Sequence, residues 1–229
     1  MDFGTLHLPL SPAAPAPPAW ADVTANRIAV VAVLVLAFAV LRDYMQLFPL
    51  LGGAVVRSRA NIEIQHSVSQ TRYRNRCALA MMPVFALLAD RYGLYPAGFM
   101  AGIPAGWGAA ACLGILAAYA VIRRLLFISI PKRKLDSESR GAVHYAMYNY
   151  ILAFLPLILL TAGLLWIFHA PDPAFRNAIW VELIACVWLA LFREWQILAS
   201  KYSPLQTFLY LCGLEALPLA CLIVPAELL

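Results

Sequence analysis

Charge is what this sequence has least of. Only 13% of its 229 residues are Asp, Glu, Lys or Arg, against 63% hydrophobic. A soluble domain carries about a quarter charged residues and about half apolar ones, so a water-soluble body is excluded. Cysteine spacing is equally uninformative for chemistry. The five cysteines, Cys77, Cys112, Cys186, Cys212 and Cys221, lie in or beside apolar runs with no C-x-x-C pair or zinc spacing, and they read as small packing residues. The chain has no H-E-x-x-H, G-x-S-x-G, P-loop or G-x-G-x-x-G pattern and no aspartate-rich diphosphate motif, which argues against an enzyme built on any of these. No metal or cofactor is expected. A basic leader is missing as well: the first basic residue is Arg27, after Asp2 and Asp22, so residues 1–26 do not read as a cleavable signal peptide.

What is present is a series of long apolar runs, the mark of transmembrane helices. The length allows about five to seven spans of about 20 residues. We expect an all-α polytopic bundle with spans near 28–48, 73–89, 103–122, 145–168, 178–192 and 204–224. Before it, residues 1–26 hold the Pro/Ala-rich tract Ser11–Trp20, expected to be an extended, disordered tail. Residues 27–229 form one membrane domain.

Breaks and caps set these boundaries. Pro49 and Gly52-Gly53 are expected to end the first span. Arg57, Arg59, Arg72, Arg74 and Arg76 then cluster around a single acid, Glu63, and predict a surface helix lying on anionic headgroups, with a specific phosphate-binding arm as the alternative. Lys132, Arg133 and Lys134 sit in a second charged loop of the same kind. Asp90 to Gly93 predicts a turn, and Pro83 and Pro156 predict bends. HYAMYNY, His144 to Tyr150, predicts an aromatic belt at a membrane surface. Ser203-Pro204 predicts a helix cap and first turn. His144 and His169 fall at opposite ends of one span, roughly 37 Å apart by helical rise, too far to share a metal or haem.

Gly98, Gly102, Gly106, Ala110, Gly114 and Ala118 recur every four residues and predict a small-residue stripe along the third span, where another helix packs closely. We expect that partner within the same chain, with a helix of another chain as the alternative.

With six spans, 14 of the 17 basic residues fall on one side. The positive-inside rule makes that side cytoplasmic and places both termini outside, in a bacterial inner (cytoplasmic) membrane. The same distribution argues against nucleic acid as a partner and for anionic lipid on the cytoplasmic face, with a membrane protein or a second copy as a further partner.

Two carboxylates fall inside apolar runs. Glu182 lies near the start of the fifth span, on one face with Cys186, Leu189 and Arg193. Glu215 lies in the last span, in FLYLCGLEALP, with Cys212 before it and Pro218 after it. Pro218 has no N–H for the carbonyl of Leu214, so a carboxylate and a freed carbonyl stand together where lipid offers neither a partner. Two readings follow: a proton or cation site, or a hydrogen bond locking helices through Asn149, Tyr148 or an arginine of 57–76.

The same stretch resembles the closing segment of a family of uncharacterised multi-pass inner-membrane proteins typical of Bacteroidota, defined only as a domain of unknown function. Ser203, Phe208, Leu209, Tyr210, Leu211, Cys212, Leu214, Glu215, Leu217 and Pro218 fit that segment. Gly213 and Ala216 stand where the family has threonine and isoleucine. The resemblance implies a helical membrane fold and no particular activity. The functional expectation is therefore a non-catalytic accessory or assembly component of a membrane complex. The alternatives are a small proton- or cation-coupled carrier using Glu215, and a lipid-modifying enzyme using Glu182 or His169.

Overall fold

The computed structural model describes residues 19–57, 61, 63–64, 67–95, 97–100, 102–129 and 137–219. Its long elements are α1 (Thr24–Val56), α2 (Val68–Arg91), α3 (Gly108–Ser129), α4 (Ser137–Ile167), α5 (Asp172–Ala199) and α6 (Pro204–Leu211), with no strand among the described residues. Four of them, α1, α3, α4 and α5, are long and apolar enough to cross a membrane. α2 is long enough, but Arg72, Arg74, Arg76 and Asp90 dilute its apolar content.

α1 packs on α2 and α4, α2 on α3, and α4 on α5, while α6 lies against α5. The main core joins Leu47 and Leu51 of α1, Cys77, Met81 and Val84 of α2, and Leu152 and Leu155 of α4. Large apolar side chains also cover the outside, among them Phe38, Trp166, Phe168, Val181 and Trp188. An apolar exterior around a core that holds polar side chains is what a hydrocarbon solvent selects.

Several boundaries differ from expectation. α1 runs through Pro49 and Gly52-Gly53 to Val56. Tertiary contacts hold the helix where local propensity would end it: Leu47 and Leu51 are fully buried, and Arg193 Nη2 donates to the last carbonyls, Val55 O at 2.9 Å and Val56 O at 2.8 Å. The prolines of α2 and α4 likewise lie inside continuous helices. Pro156 cannot donate to Leu152 O, and the Tyr44 hydroxyl takes its place at 2.9 Å.

The arginine-rich stretch is not one surface helix. Ser67 caps α2 by accepting from the Gln70 N–H, so Arg72, Arg74 and Arg76 ride on α2 itself. Arg72 and Arg76 are exposed, but Arg74 is buried. Arg57 is the C-cap of α1. Arg59, Lys132, Arg133 and Lys134 lie outside the described residues.

The small-residue stripe is also not one helix. Pro104 and Gly106 (φ 90°) make a turn, and α3 starts only at Gly108. Gly98 and Gly102 precede it, and Ala110, Gly114 and Ala118 face outward. The buried face of α3 is Gly108, Cys112, Tyr119 and Arg123, so packing within the chain uses the other side of the helix.

α3 and α5 run past their expected ends, and α4 begins before its expected start. Arg123 lies six positions before the end of α3, and Glu194 five before the end of α5. HYAMYNY sits inside α4 with Ala146, Met147, Asn149 and Tyr150 buried, not at a surface belt. At the other end of the bundle, residues 20–22 at the close of the expected tail form a 3-10 turn, Trp20–Asp22, while residues 1–18 lie outside the described residues. Trp20 Nε1 donates to Asp90 Oδ2 at 2.7 Å.

Candidate functional site: a buried arginine between two glutamates

The geometry around Glu215 starts with a regular helix. Ser203 caps α6 and Pro204 fills its first turn, as expected, and Gln206 completes a capping box. After Leu211 the helix widens into a π turn, Cys212–Ala216, in which the Leu217 N–H bonds Cys212 O. Pro218 follows at once, without the N–H that would close an α-turn onto Leu214. Extra residues of this kind shift the side chains around the axis. Here Leu214 and Glu215 turn inward, while Ala216 and Leu217 stay exposed.

Glu215 meets Arg123 of α3. Arg123 Nε lies 2.9 Å from both Glu215 oxygens, and Nη2 also bonds Oε1. The remaining donors reach α4: Nη1 bonds His144 O, and Nη2 lies 3.5 Å from Val143 O. The Tyr148 ring stands 5.3 Å from the guanidinium carbon. A second carboxylate, Glu194 of α5, comes within 3.5 Å of Arg123 Nη2. Neither Glu194 oxygen receives a hydrogen bond among the described residues. Side-chain exposure is 1% for Arg123, 0% for Glu194 and 1% for Glu215.

Two carboxylates thus face one guanidinium out of contact with solvent. The fork-like pairing of Arg123 with Glu215 neutralises one charge of each sign. Glu194 adds a formal negative charge that is buried and accepts no hydrogen bond among the described residues, a costly arrangement unless a further positive charge joins the trio. The site is one positive charge short. It lies roughly 8–10 Å inside the ends of α3 and α5 by helical rise, away from the middle of the helices.

The residues expected at the site divide. Glu215, Pro218 and Cys212 share the π segment, but the structure does not bring Glu182 to them. Glu182 precedes Glu194 by twelve positions on α5, roughly 18 Å along the axis, and accepts a hydrogen bond from Thr161 of α4. Asn149, expected as a partner for Glu215, belongs to another buried network: its Nδ2 donates to Asn61 Oδ1 at 3.0 Å, and Asn61 Nδ2 donates to the Tyr150 hydroxyl at 2.9 Å. That hydroxyl in turn donates to Ala54 O. The partner of Glu215 is Arg123, one position beyond the expected third span, 103–122.

Sequence reasoning missed Arg123 and Glu194, although a signal existed. Ile179, Cys186, Ala190, Glu194 and Ile197 are all buried on α5, and their spacing is that of one helix face. Extending the apolar face beyond Phe192 would have carried Glu194 into the core. On α3, Cys112, Tyr119 and Arg123 share a face in the same way.

No protein family, curated protein or solved structure matches the chain. What fold and site define together is a helical protein with four apolar helices of membrane-spanning length and a buried Glu–Arg–Glu trio.

Proposed function

We propose that the protein is a small proton-coupled carrier of a bacterial inner membrane, in which the missing positive charge is a proton held between Glu194 and Glu215. The observation that carries this reading is Glu194: a carboxylate buried without a hydrogen bond among the described residues, beside an arginine already engaged by another. Two carboxylates sharing a site do not both ionise readily, and an ionisable group within a membrane segment marks an ion or proton pathway by default. α2 and the α6 segment complete six spans with both termini outside, in a relative of the family that FLYLCGLEALP resembles.

The test is charge displacement on a pH step, recorded from full-length protein reconstituted on a supported membrane. Wild type should give a transient current as the trio takes up or releases a proton. Glu194→Gln should abolish it. An unchanged transient in Glu194→Gln would remove the carrier reading.

One observation favours a second reading, an accessory component of a membrane complex. Ala110, Gly114 and Ala118 face out of the bundle, and a Cβ added at Gly114 meets nothing within 4 Å. Such a face admits close approach of a helix from another chain. A stoichiometric partner retained in mild detergent by wild type, and lost in Gly114→Leu, would support it. A protein that emerges alone would not.

A further inference from the structure

A second buried arginine has the opposite deficit. Arg74 of α2 is 1% exposed, yet no acidic side chain lies within ion-pair distance of it among the described residues. Its Nε and Nη2 both donate to the amide oxygen of the adjacent Asn75, at 3.2 and 2.9 Å. Nη1 is buried and has no hydrogen-bond partner among the described residues. The guanidinium stacks on the Tyr145 ring, 3.7 Å from its centroid. That contact fixes the plane of the fork but supplies no negative charge.

We propose that Arg74 is the core of an anion site that takes one phosphate group, supplied by the headgroup of a net-anionic phospholipid. A desolvated guanidinium requires a counter-charge, and Nη1 is a donor still to be used. A planar fork matches the oxygens of a phosphate better than a point charge does. Arg72 and Arg76 project from the opposite face of α2 and are exposed, so they make this end of the helix basic and concentrate anionic lipid there without lining the way to Arg74. Tyr145 holds the fork in register while the lipid exchanges. The site is independent of the proton held between Glu194 and Glu215, and either can fail without the other.

The experiment is native mass spectrometry of the full-length protein in neutral detergent, titrated with phosphatidylglycerol and, separately, challenged with inorganic phosphate. Wild type should retain one phosphatidylglycerol. Arg74→Gln should bind it about tenfold more weakly, while Arg72→Gln, at an exposed position, should change binding by less than about threefold. Arg74→Lys keeps the charge without the fork. It serves where the glutamine variant does not fold, and it should also bind more weakly than wild type. Displacement of the lipid by millimolar phosphate supports the site and assigns it to a free oxyanion, whereas persistence supports the headgroup. Equal weakening by Arg72→Gln and Arg74→Gln, or no retained lipid in wild type, would overturn the proposal.

Discussion

Arg123 and Arg74 are equally buried and differently served. Both lie against the same short stretch of α4, Arg74 over Tyr145 and Arg123 beside Tyr148. Arg123 has two carboxylates within 3.5 Å, and Arg74 has none among the described residues. One site is a positive charge short and the other a negative charge short. The contrast teaches that burial of a charge by itself says little about role. The counter-charges that the chain supplies or withholds say more, and each deficit names the kind of ligand that fills it.

The contrast can be broken most forcefully at Arg123. Arg123→Met leaves two buried carboxylates facing each other, and should cost about 3–5 kcal/mol, read as a shift in denaturant unfolding in bicelles. Adding Glu194→Leu and Glu215→Leu should restore most of that loss, because an apolar trio needs no counter-charge.

The two glutamates separate next. Glu215→Gln removes the partner of the bidentate pair and should cost about 1.5–3 kcal/mol in the same assay. Glu194→Gln removes a carboxylate that receives no hydrogen bond, and should leave stability within about 1 kcal/mol of wild type. Equal losses would mean that Glu194 is an ordinary structural partner.

A neutral control follows. Tyr44→Phe deletes the donor to the carbonyl that Pro156 frees, and should cost about 1 kcal/mol with no effect on the pH-step current. The smallest effect belongs to Arg74→Met. It keeps the apolar stem and removes an uncompensated charge, so stability in neutral detergent should change by less than about 1 kcal/mol. A loss as large as that of Arg123→Met would erase the distinction between the two arginines.

Much of the fold was legible because solvent chemistry writes it in long runs: α1, α3, α4 and α5 fall on apolar segments. The caps at Ser67 and Ser203 rest on local hydrogen bonds, and Ser203-Pro204 was readable as such. Helix ends were less legible. Pro49 and the paired glycines signal a stop, yet Leu47, Leu51 and the Arg193 contact carry α1 through them. At the site, Glu215 and Pro218 stood out because an acid and a missing N–H are conspicuous in an apolar run. Arg123 and Glu194 did not, because each adjoins a like-patterned charged neighbour, Arg124 and Arg193, at a span end. Only the packing of α3, α5 and the π segment shows which member of each pair turns inward.

The central claim is that the Arg123 trio holds a proton. Infrared spectroscopy of the full-length protein in lipid at neutral pH tests it most directly, by comparing wild type with Glu194→Gln and Glu215→Gln. Wild type should show the C=O stretch of a buried protonated carboxyl group. Either single amide should abolish it, because the remaining carboxylate then pairs with Arg123 and ionises. A wild-type spectrum without that band, or a band that survives in both variants, would contradict the account.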